Sequence, residues 1–309
     1  MSNEPERRMR LIVNGKSAGD PALRAAVTQM RNQGFPLEIR ITWEGGDAAR
    51  YAIEAMEDDV DVVIAAGGDG TINEIVNGIM RTDSDPTIAV GVVPYGTAND
   101  FATGCGIPKG DPLAALQIVA ENAAVPIDVG KVNNQYFINV ASGGFGAEVT
   151  AATPPQLKKA IGGAAYSIMG IITAAKMSPY HGKLITDEGE EEVEMIVGAV
   201  GNGRFAGGGF AVCPHALLDD GLLDVMAIRD VSLLEIGTLV DELMNANVDD
   251  KKFISYRQLS SFEIHTDRPL QLNLDGEPVK NTHYKFETLH KKLRFVLPPG
   301  APLQENTGD

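Results

Sequence analysis

Apolar positions recur with two different periods along this chain, and the period changes near Ile127. Leu11 to Val13 is a short apolar run, and Asp20 followed by Pro21 has the form of a helix N-cap with proline at the first helical position. Leu23, Ala26, Val27 and Met30 follow at i, i+3, i+4 and i+7, which places them on one helical face. Leu37, Ile39 and Ile41 alternate as a strand does, and Asp47 is placed to cap a second helix whose apolar stripe is Ala48, Tyr51, Ala52, Ala55 and Met56. Val60 to Ala66 is almost continuously apolar, the pattern of a parallel strand covered on both faces. A third helix, beginning near Thr71, carries Ile72, Ile75, Val76, Ile79 and Met80, and Ile88 to Val93 reads as a fourth strand. Strands and helices alternating in this order predict a doubly wound α/β sheet.

Beyond Ile127 the segments shorten and alternate with period two between Gly, Asn and Asp turns, as in Val129 to Val132, Phe137 to Val140 and Met195 to Val200. Two helices interrupt this mainly β half, at Leu157 to Met177 and at Leu233 to Met244, the latter with Leu233, Ile236, Leu239, Val240 and Leu243 on one face. The acidic run Asp187 to Glu194 reads as a solvated hairpin tip. The change of period divides the chain into an α/β domain over residues 1–126 and a mostly β domain over 127–297. The polar tail 298–309 is either frayed or crosses back to complete the first domain.

Charge and cysteine usage narrow the chemistry. The 42 acidic and 26 basic residues among 309 leave a net charge of −16, which repels polyanions, argues against nonspecific nucleic-acid binding and disfavours a polybasic membrane anchor. Membrane contact then falls to apolar surface or to small basic clusters such as Lys158 with Lys159. Cys105 and Cys213 form no CxxC, so neither a disulfide scaffold nor a zinc site is indicated. The start of the chain has no apolar stretch of signal-peptide length, which makes the cytoplasm the expected compartment. The longest uncharged run, Ala160 to Ala175, is 16 residues, short of the ~20 a spanning helix needs. With Met177 it reads as a core helix, the alternative being the cover of an acyl-chain groove. The histidines His181, His215, His265, His283 and His290 show no metal-ligand spacing and read as structural or exposed.

The sharpest signal is Gly67–Gly68–Asp69–Gly70–Thr71, between the apolar strand and the third helix. Glycines let backbone approach phosphate closely, and the N–H groups of a following helix N-terminus hold anionic oxygens. The same residues also read as a tight turn closed by a Thr71/Glu74 capping box. A turn alone leaves Asp69 unexplained, because a carboxylate beside phosphate is repelled unless a divalent cation lies between them, which implies nucleotide-bound Mg²⁺. A second turn, Pro94–Tyr95–Gly96–Thr97–Ala98–Asn99–Asp100, follows the next strand. Thr97 and Asn99 offer neutral donors there, and Thr97 with Asp100 also reads as a helix cap.

GGDGT paired with PYGTANDFA resembles the catalytic domain of diacylglycerol-kinase-type lipid kinases. TWEGGDAARY, GFGAEV, NGRFAGGG and CPHALLDDGLLDV resemble the YegS group within that family, over nearly the whole chain. The resemblance implies an α/β nucleotide domain, a larger β-sandwich lipid domain and an active site in the cleft between them. It implies ATP contacts from Asn14, Thr42, Thr97 and the loop Gly68, Asp69, Gly70, Thr71, Ile72, Asn73 and Glu74. It also implies a structural Mg²⁺ or Ca²⁺ held by the Asp220 carboxylate with the carbonyls of Leu217 and Leu222, where an Asp-Gly hairpin turn is the plainer reading. Glu277 is, by the same resemblance, the general base, and Asp275 holds the site or its metal.

The resulting expectation is an ATP- and Mg²⁺-dependent kinase that phosphorylates a hydroxyl of a glycerol-type lipid of the diacylglycerol or phosphatidylglycerol class. The substrate is met at the membrane surface, with transient association and no transmembrane segment. The alternatives are a kinase of a soluble acceptor related to NAD kinase, and a catalytically silent ATP- or lipid-binding module.

Overall fold

In the computed structural model the described residues are 7–83, 85–143, 179–229, 231, 234–244 and 251–303. The expected helix Leu157 to Met177 and the GFGAEV motif lie outside them. The chain forms two compact units, Met1–Val129 with His290–Asp309, and Gly130–Leu289.

The first unit contains strands β1 (Met9–Val13), β2 (Leu37–Ile41), β3 (Val62–Gly67) and β4 (Ala89–Pro94) and helices α1 (Pro21–Asn32), α2 (Asp47–Glu57), α3 (Asp69–Thr82), α4 (Asp100–Gly104) and α5 (Pro112–Glu121). The four strands are parallel and ordered β2-β1-β3-β4. Successive connections therefore run to opposite sides after β1 and after β3, which opens a crevice at the carboxyl ends of these neighbours. The apolar faces read from periodicity are buried: Leu23, Ala26, Val27 and Met30 on α1, and Ile72, Ile75, Val76, Ile79 and Met80 on α3. Asp20 caps α1 as expected, its Oδ1 accepting the Leu23 N–H at 2.9 Å. Arg10, 1% exposed within the apolar strand β1, is neutralised by Glu38 and Asp58. The chain returns at its end, where Arg294 and Phe295 pair in parallel with Ala89 and Val90 of β4 and the Phe295 ring packs 5.1 Å from that of Phe101.

The second unit is antiparallel. Strand β5 (Ala124–Val132) pairs with β6 (Gln135–Phe137), and β11 (Phe205–Ala206) with β12 (Phe210–Ala211). Strands β7 (Val140–Gly143), β10 (Val197–Gly201), β13 (Leu223–Ile228) and β14 (Ile254–Leu259) join β15 (Ser261–Leu274) and β16 (Glu277–Val296) in the order β14-β13-β10-β7-β15-β16. A hairpin of β8 (Tyr180–Thr186) and β9 (Gly189–Met195) pairs with the first half of β15, while β7 pairs with its last residues. The register shift between His265 and Leu270 lets this one long strand serve both. Period-two alternation then buries both faces of the sheet. Val197, Ala199, Met226 and Ile228 enter one core, and Val200, Leu223, Phe262, Leu272 and Phe286 the other. The acidic run is not confined to a hairpin tip, since Glu190 to Glu194 belong to β9. The late helix runs Ile236–Met244, with Leu239 buried.

Asp47 does not cap α2. The N-cap of α2 is Gly46, in the left-handed region at φ 90°, and Asp47 is the first helical residue. Its carboxylate turns back to accept the N–H groups of Trp43 at 2.7 Å and Glu44 at 3.1 Å and pairs with Arg50 at 2.7 Å. These bonds, the Trp43 N–H first, lower its pKa from 3.8 to about 2. Because the folded value is depressed, the stability they supply is complete above the unfolded pKa and is lost as pH falls towards the folded one. Asp47→Asn is expected to flatten the fall of the thermal midpoint between about pH 4 and about pH 2, measured by circular dichroism across that range. An acid limb identical to that of the wild type would show that Asp47 does not carry it.

Candidate active site

The two glycine-rich turns meet backbone to backbone. Gly67 of β3 is in register with Pro94 of β4, and the Tyr95 N–H donates to the Gly67 carbonyl at 2.8 Å. A Cβ on Gly68 would stand 2.8 Å from the Gly96 Cα, and one on Gly96 only 2.7 Å from the Asn99 Oδ1. Only hydrogen fits on either side of that contact. Gly70 is different, since a Cβ there meets nothing within 4 Å. It faces open space at the first turn of α3, where a helix leaves its leading N–H groups without internal partners.

The helix begins two residues earlier than expected, with Gly68 as N-cap and its carbonyl accepting from Thr71 and Ile72. The Thr71/Glu74 capping box therefore does not form. Glu74 instead accepts the Gly46 N–H at 3.0 Å, tying α3 to the start of α2. Asp69 also has a partner that its sequence neighbours do not reveal. Its two oxygens accept the N–H groups of Asp100 and Phe101, each at 3.1 Å, and so hold the N-terminus of α4. The premise that only a cation explains this carboxylate falls, although each oxygen keeps lone-pair capacity for one. Asn99 and not Thr97 is the N-cap residue of α4, at φ 52°, and its side chain is bonded at both ends to Gly96. Thr97 is exposed on that turn.

Asn14, Thr42, Thr71 and Glu74 come together from the ends of β1, β2 and β3. They line a concavity of about 480 Å³ with Gly15, Lys16, Trp43 and Glu44. The Asn14 side chain donates to Thr71 Oγ1 at 3.4 Å and accepts from the Lys16 N–H at 3.1 Å, and the Gly15 N–H donates to Thr42 Oγ1 at 3.2 Å. Ile72 and Asn73 face inward from α3, at 2% and 5% exposure, so their side chains belong to the packing. Sequence reading passed over Trp43. It is the only tryptophan, it is 94% exposed, and its place beside Thr42 on this rim was the available signal. A hydroxyl- and amide-lined concavity beside a glycine turn suits a polyphosphate, with an aromatic face at its edge.

In the second unit, Asp275 and Gly276 form the two-residue loop of the β15–β16 hairpin, closed by the Leu274 and Glu277 pair. Both have positive φ, 49° and 111°, as a type I′ turn requires. The Asp275 carboxylate is buried and accepts three backbone N–H groups, from Ile138 at 2.8 Å, Asn139 at 3.1 Å and Val140 at 2.9 Å. Asn202, in the NGRFAGGG segment, donates its side chain to the Ile138 carbonyl, and its N–H and that of Gly203 go to the Asn139 carbonyl. Arg204 bonds the Ala216 carbonyl at 2.9 Å, joining that segment to CPHALLDDG. Glu277, next along the hairpin, is exposed. This geometry makes Asp275 the anchor of the turn and leaves Glu277 as the carboxylate presented to solvent. At the other Asp-Gly, Asp220 Oδ1 accepts the Leu222 N–H at 2.9 Å and Gly221 has φ 79°. Those are the features of an Asx-turn in the loop before β13, whose strand partners are β10 and β14, so no hairpin is closed here.

The profile of the diacylglycerol kinase catalytic domain matches residues 8–132, and that of the YegS C-terminal NAD kinase beta sandwich-like domain matches residues 139–297. The chain is 45% identical over 294 residues to a "probable lipid kinase YegS-like" protein of Chromohalobacter salexigens, covering 95% of this chain and 94% of that protein. A protein of the same description from Shewanella frigidimarina is 41% identical over 299 residues, 96% of each chain. The crystal structure of a diacylglycerol kinase from Bacillus anthracis superposes with a TM-score of 0.75 at 25% identity, covering 96% of this chain and 99% of that one. Matched in both units and along nearly its full length, the chain belongs to the YegS-like lipid kinases of the diacylglycerol kinase catalytic-domain family and is an enzyme of the kinase class.

Proposed function

We propose that this enzyme transfers the γ-phosphoryl group of ATP to a hydroxyl of a glycerol-type lipid, of the diacylglycerol or phosphatidylglycerol class. The observation that carries the lipid reading over a soluble acceptor is a cavity of about 430 Å³ among the described residues of the second unit. Its lining is largely aliphatic and aromatic and includes Leu184, Val193, Val225, Leu270, Leu272 and Phe286. It follows β15 through Leu270 and Leu272 to Ala141, the strand partner of Leu274, one residue from the Asp275 turn. A single acyl chain suits such a volume and lining, with its polar end towards Glu277.

ATP is the phosphoryl donor implied by the family. Asn14, Thr42, Thr71 and the N–H groups at Gly68 to Gly70 would bind its phosphates. Mg²⁺ bound with the nucleotide would neutralise developing charge on the transferring group, and the remaining lone pairs of Asp69 fit a place near it. A hard cation at Leu217, Asp220 and Leu222 belongs to the same reading. Glu277 would accept the proton of the acceptor hydroxyl, a role that needs position more than a shifted pKa, since a carboxylate is already a base at neutral pH. Asp275 acts through the turn it holds. Among the described residues no helix is long and apolar enough to cross a membrane, so the lipid would be met at the membrane surface.

Label from γ-labelled ATP, presented with Mg²⁺ and mixed micelles of diacylglycerol or phosphatidylglycerol, is expected in one lipid. Glu277→Gln should lower that turnover by about 10²–10⁴-fold while leaving nucleotide quenching of Trp43 fluorescence in place. Wild-type turnover in that variant at saturating lipid would remove Glu277 as the base. Ala227 also lines the cavity. Ala227→Phe, which fills part of it, is expected to raise the KM for long-chain substrate with less effect on a short-chain one. Equal KM values for both chain lengths would place the acyl chain elsewhere.

A further inference from the structure

Two histidines that stand 18 positions apart in sequence are directly opposed across the β15–β16 ladder, His265 facing His283. Strand alternation puts Glu263, two residues before His265, on the same face. Both imidazole Nε2 atoms converge on one carboxylate oxygen, Glu263 Oε2, at 3.3 Å from His265 and 2.8 Å from His283. The ring centroids are 4.0 Å apart, and the three ligand-capable atoms lie within 4.8 Å of one another. Donors placed about 2.0–2.1 Å from a tetrahedral Zn²⁺ lie about 3.3 Å from each other, so the existing separations need only small side-chain adjustments to surround an ion.

We infer that Glu263, His265 and His283 form a transition-metal site that takes Zn²⁺. Two imidazoles and one carboxylate are the donors of zinc and its neighbours, whereas Mg²⁺ and Ca²⁺ select oxygen, so this site is chemically distinct from the one implied for the nucleotide. Side-chain exposures of 34%, 45% and 51% for Glu263, His265 and His283 give an ion access and leave a fourth position to water. The neighbouring cations are already neutralised. Lys183, opposite His265 on β8, pairs with Glu190 at 3.2 Å, and Lys285, opposite Glu263 on β16, pairs with Glu287 at 3.5 Å. The bound ion would staple β15 to β16 on the far side of the register shift from the Asp275 turn. It would thereby fix the register of the hairpin that presents Glu277.

The test is calorimetric titration of the EDTA-treated full chain with Zn²⁺, with Co²⁺ as a spectroscopic stand-in. One equivalent of Zn²⁺ is expected to bind, Co²⁺ to give tetrahedral visible absorption, and excess Mg²⁺ not to compete. His283→Ala and His265→Ala should each weaken Zn²⁺ binding at least tenfold and abolish the Zn²⁺-induced rise in thermal midpoint, with midpoints in EDTA close to that of the wild type. On the wild-type protein, Zn²⁺ should shift the imidazole NMR signals of His265 and His283 and not those of His181, His215 or His290. Zn²⁺ binding of equal strength in the variants, displacement by Mg²⁺, an unshifted His265–His283 pair or the absence of a stoichiometric site would each overturn the inference.

Discussion

The contact between Gly68 and Gly96 constrains everything at the carboxyl edge of the parallel sheet. Strands β3 and β4 end in register, and each must turn into a helix without parting from its neighbour. Two turns fit in that space only if neither carries a side chain at the point of contact. Once they do fit, α3 and α4 start side by side, and the first carboxylate of one lies within bonding distance of the leading N–H groups of the other. The glycine pattern usually read as room for a phosphate is thus also room for another backbone, and Gly70 is where open space remains.

Carboxylates bonded to backbone N–H groups recur as the fastening device of both units. Asp69 holds α4, Glu74 holds the start of α2, Asp47 holds the segment before α2, and Asp275 gathers three consecutive residues of the second unit around a hairpin turn. Each bond satisfies a donor that a helix end or loop leaves without a partner, and a charged acceptor makes it stronger than a neutral one. In a chain of net charge −16, part of the acidic excess is therefore structural. The catalytic reading of these residues has to be separated from this role. Asp275 is committed to backbone groups, whereas Glu277 beside it is presented to solvent.

The fold was legible wherever a pattern repeats over a few residues. The buried faces of α1 and α3, the Asp20 cap, the near-continuous apolar run of β3 and the change to period two all report local geometry, because a helix or strand presents its faces at fixed sequence intervals. The Asp275–Gly276 hairpin is local in the same way, whereas Asp220–Gly221 turns a loop without pairing two strands. Boundaries moved by a residue or two where a near neighbour competed. Asp47 gave up the cap position because Trp43 and Glu44 needed its carboxylate, and Thr71 did not close a box because Gly68 had already started the helix. Similarly, Asn14, Thr42 and Thr71 were drawn together as a nucleotide set only through resemblance, whereas the strand order places them around one concavity.

By itself, then, the sequence determined the strands and helices from β1 to β4 to within a residue or two, the change to period two after Ile127 and the family to which the chain belongs, since each is written in short-range periodicity or in contiguous motifs. Tertiary structure alone decided which carboxylates are fasteners, where the only tryptophan stands, and that His265 and His283 share one ladder rung with Glu263 beside them. Metal-ligand spacing was absent from the sequence because these ligands come from two strands, and the separation of residues across a hairpin depends on strand length and register. Neither the pairing register nor the bulge that resets it is encoded at any fixed interval along the chain.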